Sequence, residues 1–459
     1  MKAFAASLGF GVLALMLIAA APGEKNKGGG KGGAGQGGQV EPAVVPPYLF
    51  NVWLCRPGAE SMTVSVLAWD EMEAFITYGD GLKTAAKKLK SGEPQNFLLA
   101  GLKPDTSYNY CFTYRRVGAE ATQDVMRSFH TQRAASSSFS FVMQADSHLD
   151  NNTDVRVYQQ TLANMLADKP DFMIDLGDTT MVDKFGKFYT RSESQYLGQR
   201  YYMGRIAHSV PIFMVLGNHD GERGDQLEMS NWSLERRHKF FPNPTDGNNK
   251  HSYYAFEWGN TLFVALDPFW ATMKRGEDNW AATLGETQYR WLTKTLTSSK
   301  APFKFVFLHH LIGGLGKDVR GGVTPAPYME WGGKNADGSD GFKEHRPGWE
   351  MPIHQLLVKT GVSAVFHGHD HLFAKEELDG IIYQEVPQPG HPSGGTRSAE
   401  EYGYTGIILG SSGHVRVAVG EKEAKVDYVR SVVSGVTRAE LENGAMEHSY
   451  LISPRASVR

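Results

Sequence analysis

Two textures of apolar and polar positions divide the chain. From Pro46 to Thr131, short runs such as Met62–Trp69 and Ala74–Gly79 alternate residue by residue and are broken by turn residues. That is the period-two pattern of half-buried strands. It predicts an all-β sandwich over residues 46–133, in which Tyr108, Tyr110 and Phe112 form the inward face of one strand. From Ser138 the texture changes. Phe139–Gln144, Pro170–Gly177, Pro211–Gly217, Thr261–Asp267, Phe303–His310, Ser363–His369 and Ile381–Val386 read as strands, several apolar on both faces. Strands of that kind lie between layers. Val155–Ala167 has helical spacing and ends before Lys169-Pro170. The alternation of strands and helices predicts a layered α/β domain over 138–432. The tail, 433–459, is polar and carries no pattern.

The N-terminus is different again. Lys2 is followed by an apolar run from Leu8 to Ala21 that ends in small residues. This is the layout of a secretory signal peptide, assigned to residues 1–21. It is shorter than the roughly 18–20 residues that span a bilayer. Residues 22–45, Gly-rich between Gly23 and Gly38, read as a flexible linker. The expected product is secreted or periplasmic, with no membrane span after cleavage.

Composition narrows the picture little. The 459 residues carry 47 Lys and Arg against 50 Asp and Glu, a net charge of −3. No basic excess marks a nucleic-acid binder, and no specific nucleic-acid binding is expected. The two cysteines, Cys55 and Cys111, both fall in the β region. Export permits a disulfide, whereas the strand alternation turns Cys111 outward, so their pairing stays open. Oligomeric state is not legible.

The chemistry lies where strands stop. The strand ends carry, in order, Asp146-Ser147-His148, Gly177-Asp178, Gly217-Asn218-His219-Asp220, His309-His310 and Gly368-His369-Asp370-His371. In open α/β sheets ligands bind at that edge. Oxygen donors together with imidazoles suit Zn, Mn or Fe rather than calcium. Any one of these clusters is weak evidence; five in this order, each after a strand, are not.

The series D-x-H, G-D, G-N-H-D, H and G-H-x-H resembles the calcineurin-like metallophosphoesterase superfamily. Leu102, Pro104, Thr106 and Tyr108 resemble the entry to a late strand of fibronectin type III domains, where a Tyr bonds back to nearby backbone. The combination is most similar to the purple acid phosphatase branch. The resemblance implies an αββα two-sheet sandwich preceded by the fibronectin type III-like sandwich, the latter a structural companion or a recruitment module. It implies two metal ions, one held by Asp146, His148, Asp178 and His371, the other by Asp178, Asn218, His309 and His369. It further implies a phosphate-ester substrate, attack by a metal-bridging hydroxide, and His219 as proton donor, with Asp220 either as its partner or as a residue that caps the turn. Met181 stands where the branch carries a metal-binding Tyr, so no phenolate colour is expected. A Gly-rich insert from Gly313 to Trp349 is expected to cover the site, with His310, His345 and Arg346 as candidate substrate contacts. Phosphomonoesters are the expected substrates; a phosphodiesterase or nucleotidase on the same centre, or a non-catalytic binding protein, are the alternatives.

Overall fold

Phenylalanines at alternate positions of facing strands set the architecture of the larger domain. In the computed structural model, residues 43–244, 252–273, 279–311, 321–396, 399–437 and 441–457 are described. The expected signal peptide, most of the linker and the first part of the insert lie outside them. Among the described residues no helix is long and apolar enough to cross a membrane.

The N-terminal region is a β-sandwich. One sheet holds β1 (Phe50–Cys55), β2 (Ser61–Ala68) and β6 (Gln95–Ala100). The other holds β3 (Met72–Tyr78), β4 (Leu82–Lys83), β5 (Lys87–Leu89), β7 (Ser107–Arg116), β8 (Thr122–Gln123) and β9 (Arg127–His130). Tyr108 Oη accepts from the Lys103 backbone N–H at 2.8 Å, the back-bond expected at that corner. Cys55 and Cys111 are both buried free thiols. Cys55 packs toward the larger domain, whereas Cys111 lies against the Asp124 carbonyl at 3.2 Å. The outward turn of Cys111 therefore leads under neighbouring backbone, not into solvent.

The larger domain stacks two sheets. The six-stranded sheet runs β12 (Ile212–Met214), β11 (Phe172–Asp175), β10 (Phe139–Gln144), β20 (Gly413–Val419), β21 (Ala424–Arg430) and β22 (Met446–Ile452). The seven-stranded sheet runs β13 (Tyr254–Trp258), β14 (Thr261–Ala265), β15 (Phe303–Phe307), β16 (Ala364–His367), β18 (Ile381–Glu385), β17 (Phe373–Leu378) and β19 (Ile407–Leu409). Between them lies a core of Phe139, Phe141, Phe172, Phe263, Phe305 and Phe307 with their neighbours. Each such ring contributes about 1.5–3 kcal/mol by leaving water.

Helices cover both outer faces. α1 (Val155–Ala167), α2 (Glu193–Ala207) and α3 (Leu227–Phe240) lie on the six-stranded sheet's side; α4 (Gly285–Ser298), α5 (Met329–Gly332), α6 (Phe342–His345) and α7 (Ile353–Lys359) lie on the other. Asp154 caps α1 by accepting from the Arg156 N–H, and Val157, Tyr158, Thr161, Leu162 and Met165 form its buried stripe. The β-sandwich packs on the α1–α2 side through Trp53, Cys55 and Leu67. The tail expectation is corrected: β22 lies within 433–459 and pairs antiparallel with β21.

Candidate metal centre

Strained turns put the ligand-bearing residues into the gap between the two sheets. β10, β11 and β12 run parallel to one another, as do β15 and β16, so their C-terminal ends open on one edge. Asp146, Asp178, His369 and His371 all have positive φ, from 52° to 92°. Such backbone costs about 1–3 kcal/mol per residue and clusters at functional sites. A side chain on Gly177 would overlap the Gly217 backbone, and one on Gly217 would overlap Asp178. Glycine at these two positions is what brings the loops after β11 and β12 into contact.

The ligand atoms gather in two clusters, Asp146 with His148 and His371, and Asp178 with His309 and His369. Within each, one ligand atom per residue lies within 4.8 Å of the others. Each cluster takes residues from both sheets. His371 Nε2 is 3.4 Å from Asp146 Oδ1 and 3.3 Å from His148 Nε2. His309 Nε2 is 3.2 Å from Asp178 Oδ2 and 3.1 Å from His369 Nδ1. It is also 3.9 Å from Asp146 Oδ1, so the clusters adjoin. The surroundings aim the rings. His309 Nδ1 faces the Leu176 carbonyl at 2.8 Å, which assigns the proton of a neutral His309 to Nδ1 and leaves Nε2 to the cluster. The His369 N–H donates to Asp146 Oδ2 at 2.8 Å and ties the two sheets together at the site.

These residues fit two cations. Burial pushes the Asp178 carboxyl up, but the charges of His309 and His219 outweigh it and hold it well below the usual carboxylate range. Burial likewise pushes His309 down, yet Asp178 and Asp146 raise it to about 10. Without metal, protons on imidazole thus balance the carboxylates. Among the described residues, Asp146 Oδ1 and Asn218 Oδ1 are buried with no hydrogen-bond partner. Buried acceptors of that kind need an explanation, and a cation supplies one. Nitrogen and oxygen donors without sulfur suit divalent Zn, Mn or Fe.

His219 stands beside the second cluster. Its N–H donates to Asp178 Oδ1 at 2.7 Å, and its Nε2 lies 3.9 Å from Asp178 Oδ2. The partner of its Nδ1 is Asp183, at 2.9 Å, not Asp220. Asp220 is instead a buried staple. Its carboxylate accepts from the backbone N–H groups of Gly217, Asp178, Thr179 and Thr180 and from the Thr180 hydroxyl. Asp183 was not found in the sequence; its only signal is a carboxylate five residues after Asp178, in a turn whose course no pattern announces.

Of the other candidates, His310 lies beside the centre, its ring 4.8 Å from that of His369. His345 stacks on Trp280 at 4.4 Å. Arg346 is bound within its own surroundings: Nε donates to the buried Glu330 at 2.5 Å and Nη2 to the Trp280 carbonyl at 2.7 Å. The structure therefore gives Arg346 an anchoring contact in place of a phosphate. His391 is a second residue that sequence reasoning missed. Burial lowers its pKa first, then the charges of His371 and His148; its neighbour Gly390 lies against Thr153, whose hydroxyl donates to the His148 carbonyl.

Residues 139–373, just over half of the chain, match the family model described as calcineurin-like phosphoesterase. No curated protein sequence matches. The fold is similar to that of purple acid phosphatase PPD1 from yellow lupin (Lupinus luteus), with TM-score 0.60 and 17% identity over 88% of this chain and 74% of that one. It is also similar to PhoD, with TM-score 0.63 and 14% identity over 88% of this chain and 90% of that one.

Proposed function

Because the chain belongs to the calcineurin-like phosphoesterase family and is thereby a metal-dependent phosphoric ester hydrolase, we propose that it hydrolyses phosphomonoesters, with His219 as proton donor. The observation that carries this reading is the joining of the two ligand clusters with His219 at their edge. One ion would be held by Asp146, His148, Asp178 and His371, the other by Asp178, Asn218, His309 and His369, with Asp178 shared. Zn, Mn or Fe bound there supplies Lewis acidity that activates water and offsets phosphoryl charge.

The chain's own groups do the rest. His219 carries a proton on Nε2 toward the oxygen that leaves phosphorus, because Asp183 holds its Nδ1–H. The ring is 23% exposed, so an ester group can reach it from solvent. Asp220 keeps the Asp178 and Asn218 loops together through their N–H groups. His310, whose ring is 4.8 Å from that of His369, would contact the bound ester. The choice of monoesters follows the lupin neighbour's name as a phosphatase, and export follows the apolar run Leu8–Ala21.

The test is hydrolysis of 4-nitrophenyl phosphate beside bis(4-nitrophenyl) phosphate after loading with Mn, Zn or Fe. Faster monoester turnover is expected. Faster diester turnover would overturn the substrate class, and no turnover with metal bound would overturn the catalytic reading.

A further inference from the structure

Two adjacent residues of α2, Gln199 and Arg200, are completely buried. Neither was prominent in the sequence. Gln199 Nε2 donates to the Ser147 carbonyl and to the Thr179 carbonyl, both at 2.8 Å. Ser147 lies between Asp146 and His148, and Thr179 follows Asp178. A single amide therefore spans the loops that carry ligands of both clusters. Its Oε1 accepts from the Tyr158 hydroxyl at 3.1 Å, which fixes which way the amide faces.

Arg200 reaches the other way. Its Nη2 donates to the Ser65 carbonyl at 3.1 Å, its Nη1 to the Phe240 carbonyl at 3.0 Å, and its guanidinium lies 5.1 Å from the Trp53 ring. The Arg200 carbonyl accepts from Asn51 Nδ2 at 2.7 Å. Asn51 and Trp53 belong to β1, and Ser65 to β2. No carboxylate pairs with this cation among the described residues; carbonyl oxygens, the Ser65 hydroxyl and a ring face surround its Nη atoms, and its Nε has no hydrogen-bond partner. A buried charge held this way is costly to disturb, so the contact is stiff.

We propose that Gln199 is a positioning residue that sets the spacing of the Asp146–His148 and Asp178 loops, and that Arg200 ties this clamp to the β-sandwich. The β-sandwich is then part of the scaffold of the metal centre, not a tethered accessory. The inference rests on the metal-centre reading above. Removing the amide leaves the Ser147 and Thr179 carbonyls buried without their donor, and the loops lose their common anchor. Ligation suffers because outer contacts of this kind hold the ligands in register.

The test is the affinity of the full chain for Mn²⁺ or Zn²⁺ by chelator competition, with the melting temperature measured in parallel. Gln199→Leu is expected to weaken binding about 10–100-fold, and Arg200→Met to weaken it in the same direction. Met203→Ala, a buried apolar position on the same helix, is expected to lower the melting temperature and leave metal affinity unchanged. Wild-type affinity in folded Gln199→Leu, or equal weakening by Met203→Ala, overturns the proposal. If Gln199→Leu does not fold, Tyr158→Phe takes its place. That variant removes the hydroxyl that orients the amide and that also accepts from Gln144 Nε2 at 3.2 Å, and unaltered affinity in it overturns the proposal equally. A wild-type chain that binds neither ion overturns the metal-centre reading itself.

Discussion

Replacing His219 by Ala should slow the hydrolysis of esters in proportion to how badly their leaving oxygen needs a proton. General-acid catalysis contributes about 10²–10⁴ in rate, or roughly 2.7–5.5 kcal/mol. Asp183 acts only through His219, by the 2.9 Å contact to Nδ1. A hydrogen bond to a charged group is worth about 1.5–3 kcal/mol, so Asp183→Asn should cost roughly 10–150-fold in kcat. Arg223, 4.0 Å from Asp183 and paired with Asp225, should limit the loss, since it holds that end of the site in place. The assay is kcat on a series from nitrophenyl to alkyl phosphates. With a nitrophenolate leaving group both variants should stay near wild type; with an alkoxide they should fall by the full amounts. The two losses should not multiply in the double variant, because residues that act as a unit are not additive. Equal losses across the series, or a double variant slower by the product of the two, would refute the proton-donor assignment and the Asp183 link respectively.

The other expectations are simpler. Asp178→Asn should abolish turnover, measured with any active metal, because it halves the negative charge shared between the clusters; surviving activity would sink the bridging role. Iron-loaded protein should show no phenolate charge-transfer band in the visible spectrum, since Met181 occupies the tyrosine position. Phe141→Ala should destabilise by about 3–5 kcal/mol in denaturant titration, because its ring is fully buried between the sheets and stacks on Phe172 at 5.2 Å. Asp168 should govern part of the acid limit. Burial pushes its carboxyl up, but His414 and Arg416 outweigh that and hold it below its ordinary value. A depressed folded pKa means stability present above about pH 4 and lost as the pH falls through the folded value. Asp168→Asn should therefore cost about 1.5–3 kcal/mol near neutrality and flatten the acid side of a stability–pH curve.

What the sequence made legible follows from what fixes each feature. The strands that carry ligands are apolar on both faces, so their positions are set by composition within a few residues, and β10, β14 and α1 fall where the pattern puts them. Ligand identity was legible because aspartate, asparagine and histidine at strand ends have few other reasons to recur. The partner of His219 was not. Asp220 reads in the sequence equally as partner or as turn cap, and a carboxylate beside a tight turn is captured first by the turn's own donors: five, from Gly217, Asp178, Thr179 and Thr180, take it. Arg346 failed for a related reason: its counter-charge, Glu330, lies sixteen residues away and is fully buried. β22 gave no pattern because of its sequence, Met446–Ile452, only Ile452 is buried. Its strand form comes from pairing with β21, and an edge strand with one anchoring side chain shows no period.

The same division explains how a centre of widely separated residues keeps its dimensions. Asp146, His148, Asp178 and Asn218 hang from one sheet, and His309, His369 and His371 from the other. Their separation therefore depends on the thickness of the core, and side-chain volume sets that thickness. Phe141 on β10 meets Phe305 and Phe307 on β15 at 6.2 and 6.4 Å, and Phe307 stacks on Phe366 of β16 at 5.3 Å. Interiors packed to crystal-like density transmit such spacings with little give. The rings next to the ligand loops thus act as a gauge for the gap that the metals span, while Gln199 and Asp220 gauge the spacing along one sheet's edge. Residue types in the motif decide which ions bind; the distance between those residues is decided by phenylalanines and a glutamine that no motif contains.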